Sequence, residues 1–175
     1  MRLPVEMYLE YFKKEIIPLK QKLYRFARSY LKNETHAEDI VQEVFLKLWD
    51  KRNELSRINN IEAWSMTVTK NLVFDKIRSQ KSYSMNPQDI KINEYDSETP
   101  DLIMERTETR MNVRKMIESL PEKQKEVIIL REIEGYSYQN IGEIMGIDQN
   151  LVKVTLFRAR DNLRKKILKT ERYGL

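Results

Sequence analysis

Apolar residues recur along this chain at three- and four-residue intervals, and almost nowhere in strict alternation. Tyr8, Phe12, Ile16, Leu19, Leu23, Phe26, Ala27 and Tyr30 follow one face of a helix over residues 5–32. Pro18 has no N–H to donate, so that stretch is predicted to break or kink there. Thr35 opens Thr-His-Ala-Glu, which reads as a capping box between the Thr35 hydroxyl and Glu38. The next helix places Ile40, Val41, Val44, Phe45, Leu48 and Trp49 on one broad face, leaving Asp39, Gln42, Glu43 and Lys47 outside it. Residues 50–60 are polar and read as a loop. A further helix over residues 61–81 turns Trp64, Val68, Leu72 and Ile77 inward. Residues 83–107 hold no sustained period and read as a linker. A helix over residues 108–119 and a second capping box at Ser119 and Glu122 come next, with Pro121 fitting a first turn. Val127, Ile128, Leu130 and Ile133 then form a buried stripe up to Gly135. No strand pattern and no internal repeat is visible. The expected fold is all-α: two small helical bundles, over residues 5–82 and 108–172, joined by a flexible acidic linker over residues 83–107.

Ser137 to Arg160 carries the most specific local pattern. Tyr138, Ile141, Ile144 and Met145 share a helical face. Gly146 can take positive φ and end that helix, and Asp148 can cap the next by accepting a hydrogen bond from a free backbone N–H. Ile147, Leu151 and Leu156 are expected to close a small core. This is a helix-turn-helix pattern, in which the second helix enters the DNA major groove and its early residues reach base edges.

Charge distribution supports that reading more than net charge does. The chain has 175 residues and a formal net charge of +5. Between Leu151 and Arg172 stand Lys153, Arg158, Arg160, Arg164, Lys165, Lys166, Lys169 and Arg172, opposed only by Asp161 and Glu171. Such a run is an electrostatic footprint for phosphates. Between Ser84 and Arg106 acidic residues dominate instead (Asp89, Glu94, Asp96, Glu98, Asp101, Glu105). There is no Cys, which excludes disulfides, thiolate chemistry and zinc-finger sites. No leader-type apolar segment and no run of 18 apolar residues is present, so a cytoplasmic protein is expected. An enzyme is not: His36 is the only histidine, no carboxylates show metal-ligand spacing, and no Gly-rich phosphate loop occurs. No catalytic residue, metal ligand, cofactor or small-molecule substrate is assigned.

Both halves resemble the two domains of bacterial RNA polymerase sigma factors of the extracytoplasmic-function type (ECF, group 4 of the sigma-70 family). His-Ala-Glu-Asp-Ile-Val-Gln-Glu-Val-Phe-Leu-Lys-Leu-Trp (His36 to Trp49) is similar to the family's core-polymerase-binding helix. Glu62 to Arg78 is similar to its promoter-melting helix. Leu-Pro-Glu-Lys-Gln-Lys-Glu-Val and Gly-Tyr-Ser-Tyr-Gln-Asn-Ile-Gly-Glu-Ile-Met-Gly resemble its −35-binding domain. The order and spacing of the four segments make the combination specific.

The resemblance implies a factor that binds core RNA polymerase, recognises −35 and −10 elements and assists promoter melting. It places Asp39, Gln42 and Glu43 against a coiled coil of the β′ subunit, and the C-terminal domain on the β flap. It places Arg57, Asn59 and Asn60, beside Ser56, where a flipped −10 base is held, with Lys70, Asn71, Asp75 and Arg78 reading or supporting the −10 strand. Lys76 and Lys81 add phosphate contacts. Trp64 is expected to pack in the core rather than stack on a base. Gln149, Asn150, Lys153, Val154, Phe157 and Arg158 are assigned to the −35 element, with Phe157 offered to a thymine methyl. Two departures from the family pattern stand out. Val154-Thr155 replaces the frequent Ser-Arg, and Gly142 replaces the usual Ala at a cost of about 1 kcal/mol in helix propensity. The resemblance also implies an anti-sigma factor, often membrane-bound in the family, and a connector that threads toward the RNA path. The alternative is a helix-turn-helix regulator that binds an operator without joining the polymerase. Such a protein needs a ligand, receiver or dimerisation domain, and the N-terminal half carries the polymerase-binding pattern instead.

Overall fold

The structure is a computed structural model and describes residues 5–31, 33–83 and 111–173. The linker and the first residues of the helix expected from residue 108 lie outside the described residues. So does the side chain of Lys81. Among the described residues all regular structure is helical. The chain divides into two compact units, one from each half.

The N-terminal unit opens on α1 (Val5–Tyr11), a π turn (Phe12–Ile16) and a 3-10 turn (Ile17–Leu19), then α2 (Lys20–Tyr30). This is the break expected at Pro18. A regular helix needs an N–H at that position to meet the Lys14 carbonyl, and proline has none. α3 (Glu34–Asp50) and α4 (Ile61–Tyr83) pack on α2 and on each other. Phe26, Leu23, Val44, Leu48, Met66 and Val73 are fully buried between them. Phe12 meets Phe45 and Trp49 edge-on at 5.6 and 5.8 Å. Lys22 and Glu62 tie α2 to α4 at 2.6 Å.

Three expectations for this half are corrected. The cap of α3 is Asn33, whose side chain accepts from the His36 N–H at 3.2 Å, and not Thr35, which lies within the first turn. An Asn two residues earlier caps an N–H two residues earlier, and the helix simply starts sooner. Residues 52–57 are a 3-10 helix rather than a loop, anchored by buried Leu55. The inward face of α4 is Ala63, Met66, Thr69 and Val73; Trp64, Val68, Leu72 and Ile77 are only half-buried. Ser65 and Thr69 are buried as well, and their hydroxyls donate to the Ile61 and Ser65 carbonyls, which lets polar residues face the core.

The C-terminal unit contains α5 (described over residues 111–118), α6 (Glu122–Ile128) running into a π turn (Ile129–Ile133), α7 (Tyr138–Met145) and α8 (Gln149–Tyr173). α6 packs along α8. The second capping box does not form. The Ser119 hydroxyl donates back to the Met116 carbonyl, and Pro121 takes the position before α6. The π turn places one more residue in its loop than an α turn, which rotates the subsequent residues by about 100°. Ile133, expected inside, is therefore exposed and Glu134 is buried instead; Ile129, which opens the turn, is buried as well.

Gly146 ends α7 with φ 67 and ψ 36, and the Ile147 N–H reaches back to the Gly142 carbonyl at 3.0 Å. Asp148 caps α8 as expected, its carboxylate accepting from the N–H groups of Asn150 (2.8 Å) and Leu151 (3.1 Å). Gly142 is required by close approach: a Cβ there would lie 2.8 Å from the Ile147 carbonyl oxygen. Asp148→Ala is expected to destabilise this unit by about 1 kcal/mol, read as a lower Tm, because two N-terminal donors of α8 lose their acceptor.

Candidate nucleic-acid and polymerase interfaces

α8 begins immediately after the turn, and its first two turns pack one face on the C-terminal unit and leave the other in solvent. Val152, Leu156 and Ala159 are buried and mark its inner face. At about 100° per residue, Val154 lies opposite them. Gln149, Asn150, Lys153, Val154, Phe157 and Arg158 are all exposed, as groove-facing residues must be. Leu151, expected in the core, is 43% exposed and joins the same outer face. The inner position belongs to Val152, because the helical phase of α8 starts afresh after Gly146.

The basic run on α8 is not all available. The Arg160 guanidinium donates to one carboxylate oxygen of Glu132 from Nε (3.1 Å) and Nη2 (2.6 Å). That hydrogen bond raises the Arg160 pKa above its ordinary value, against a lowering by partial burial. Asn162 donates to Gln124 at 2.7 Å, and Lys165 pairs with Asp161 at 2.7 Å. Arg160 and Asn162 thus tie α8 to α6 and its π turn. As an exposed pair, Arg160–Glu132 contributes at most about 1 kcal/mol.

In the N-terminal unit, α3 separates its two faces cleanly. Ala37, Ile40, Val41, Val44 and Leu48 are buried. Asp39, Gln42 and Glu43 are exposed on the other side, and Glu43 pairs with Lys47 at 3.4 Å. Leu46 continues this outer stripe and is 64% exposed. The sequence pattern alone does not single it out, although its spacing of i+7 from Asp39 and i+3 from Glu43 is a usable signal. An exposed leucine rimmed by two carboxylates and an amide suits a helical partner with an apolar centre and basic edges.

The residues assigned to the −10 element are distributed along α4 and its approach. Arg57 and Asn59 are exposed at the end of the 3-10 turn. Asn60 is committed to the fold: its side-chain oxygen accepts from the Ala63 N–H at 3.0 Å, capping α4. Asn60→Ala is therefore expected to cost about 1 kcal/mol, whereas Asn60→Asp should hold Tm, since both types cap equally well. Comparing the two in thermal melts and in promoter opening separates capping from DNA contact.

Asn71, Asp75 and Arg78 are exposed, with Arg78 paired to Asp75 at 3.1 Å; Lys70 and Lys76 are half-buried. The rise of 1.5 Å per residue spreads Asn60 to Arg78 over about 27 Å, which matches an extended strand and not a single pocket. At helical spacing Trp64, Asn71, Asp75 and Arg78 share one stripe, roughly opposite Met66 and Val73. The expectation of a core position for Trp64 is corrected here, because the core takes the smaller residues beside it. Its ring lies with the Lys51 ammonium 5.8 Å from the centroid, a second cation near this surface that the sequence pattern does not reveal. The side chain of Ser56 lies outside the described ones.

Both halves of the chain match known proteins. Residues 17–83 match sigma-70 region 2 and residues 110–163 match sigma-70 region 4. The RNA polymerase sigma factor SigV of Bacillus subtilis is 31% identical over 155 residues, covering 87% of this chain and 88% of that protein. The ECF RNA polymerase sigma factor SigW of the same organism is 28% identical over 157 residues, covering 85% and 84%. Among solved structures, the sigma factor RpoE of Bartonella quintana, crystallised with the anti-sigma factor NepR, aligns with a TM-score of 0.66 at 27% identity, covering 88% of this chain and 94% of that one. CnrH, solved with the cytosolic domain of CnrY, shares the fold at a TM-score of 0.68 and 21% identity, covering 91% and 88%.

The chain belongs to the sigma-70 family of RNA polymerase sigma factors. Within that family it is an ECF sigma factor, a subunit that joins core RNA polymerase and directs transcription initiation at specific promoters.

Proposed function

We propose a division of labour among the surfaces of this sigma factor. Asp39, Gln42, Glu43 and Leu46 dock on the β′ coiled coil, and the C-terminal unit is carried on the β flap. Arg57, Asn59 and Asn60, with Lys70, Asn71, Asp75 and Arg78, take up the −10 strand, and Trp64 stacks on it. Gln149, Asn150, Lys153, Val154, Phe157 and Arg158 meet the −35 element. The observation that carries this reading is one of exposure. Every one of these side chains except Asn60, Trp64 and Lys70 is exposed, while the apolar residues interleaved on the opposite helix faces are buried.

The factor performs no chemistry of its own. Its energetic task is to hold a strand whose bases have left the stack, which costs a few kcal/mol per flipped base. Donors along α4 and a tryptophan face can meet that cost without a catalytic group. The protein acts in the cytoplasm, where the polymerase is. No helix among the described residues is long and apolar enough to cross a membrane. By analogy with the Bartonella relative, an anti-sigma factor binds this chain and holds it inactive. The acidic linker enters the RNA path of the polymerase.

Permanganate footprinting of the holoenzyme on a linear promoter tests the −10 assignment. Wild-type protein is expected to make −10 thymines reactive, and Asn71→Ala and Trp64→Ala to diminish that reactivity. Unchanged reactivity in both variants removes the assignment.

A further inference from the structure

Three large apolar side chains stand in solvent on the outer face of α8. Leu151 is 43% exposed, Val154 45% and Phe157 74%. They are spaced at i, i+3 and i+6, so they form one slanting stripe with Val154 at its centre. Singly exposed apolar residues need no explanation, but a contiguous stripe marks a contact surface. The polar complement of this face is sparse. Asn150 precedes Val154 by one turn on the same face, Lys153 lies at the border of the stripe, and Arg158 stands one turn beyond Val154. Arg160 is occupied by Glu132. The positions that would face base edges are therefore apolar at the centre, with an amide at the N-terminal end and cations at the margin.

In the major groove the apolar feature of a base edge is the 5-methyl group of thymine, whereas guanine presents N7 and O6 to bidentate donors. We propose that this sigma factor selects its −35 element mainly through thymine methyl groups seated against Leu151, Val154 and Phe157. Lys153 holds a flanking phosphate, Arg158 is the one cationic bidentate donor, and the Gln149 and Asn150 amides serve the end of the element met by the first turn of α8. The favoured duplex carries thymines at neighbouring −35 positions. This rests on the reading of α8 as the −35 helix.

The test uses holoenzyme assembled from core polymerase and the full chain. A −35 element is first selected from promoters randomised there. Each thymine is then replaced by deoxyuridine, which removes only the methyl group, and binding is titrated. Selection of thymine-bearing elements is expected, with about a fourfold loss of affinity for each methyl removed. Phe157→Ala should abolish the difference between thymine and uracil at the position it covers. Three results overturn the proposal while leaving α8 as the −35 helix. These are an element without thymines, equal binding of thymine and deoxyuridine, or losses confined to 7-deazaguanine replacements. Stripe variants that leave DNA binding intact but release a protein partner also overturn it, making the stripe a protein-docking face. If randomising the −35 positions yields no preference at all, the underlying reading of α8 fails instead.

Discussion

Replacing Asp39 and Glu43 together by arginine is expected to abolish assembly with core RNA polymerase while leaving the N-terminal unit folded. Both side chains point away from a core formed by Ile40, Val41, Val44 and Leu48, so neither touches what holds α3 in place. The folding cost is small. Surface substitutions of this kind usually fall within about 0.5 kcal/mol, to which the Glu43→Arg change beside Lys47 would add a few tenths through like-charge repulsion. The interface cost is large. Removing one member of a buried charged pair at an interface costs about 2–5 kcal/mol, and reversal adds repulsion against basic partner groups. A loss of at least about a hundredfold in affinity is therefore expected. Anisotropy of the labelled protein titrated with core polymerase measures it, and a thermal melt confirms that the fold is retained. Leu46→Ala should act in the same direction without any electrostatic component. It would weaken binding through lost apolar contact, with an effect that salt leaves largely unchanged.

The largest stability effect is expected at Gly142. A Cβ there meets the Ile147 carbonyl oxygen at 2.8 Å, and that oxygen is part of the backbone turn, which cannot swing aside as a side chain would. Gly142→Val adds two further methyl groups at the same approach. Overpacking typically costs about 1–3 kcal/mol, and valine recovers only a few tenths of the glycine penalty in helix propensity. The C-terminal unit should lose most of its margin and melt separately from the N-terminal unit, giving two transitions in calorimetry where the wild-type units melt closer together. Gly142→Ala is the instructive intermediate. It gains about 1 kcal/mol in propensity but its Cβ meets the same backbone oxygen, so it should still lower the Tm of this unit, by less than valine does. That close approach accounts for a glycine where the family pattern places alanine.

The helix-turn-helix is legible in the sequence because its signals are local. Gly146 and Asp148 act within three residues of themselves, and each does what its side chain dictates in isolation. The exposed face of α3 is legible because seventeen residues of unbroken helix keep one phase. Expectation and structure part wherever the phase is interrupted. Pro18 and the two π turns shift register in ways that a period of 3.6 residues does not anticipate, and Ile133 leaves the core for that reason. Counting through a turn that restarts the helix puts Leu151 in the core, where it does not belong. Hydrophobicity argues for Trp64 inside, yet Ser65 and Thr69 take the buried positions by turning their hydroxyls to the backbone. Leu46 escapes notice because an exposed leucine has no local signature; only its spacing from Asp39 and Glu43 places it on their outer stripe. Asn60 shows the converse, a residue whose pattern suggests DNA contact and which also caps a helix.

Promoter choice, on this view, reaches core polymerase through two separate DNA-reading surfaces of one chain. Run-off transcription from a promoter library, with purified core RNA polymerase and with or without this protein, tests that most directly. The expected result is a set of transcripts that require the protein and share both a −35 and a −10 sequence. Val154→Glu should remove dependence on the first, and Asn71→Ala should weaken use of the second. Transcription indifferent to the protein, alongside tight and specific binding of duplex DNA by the protein alone, would contradict it.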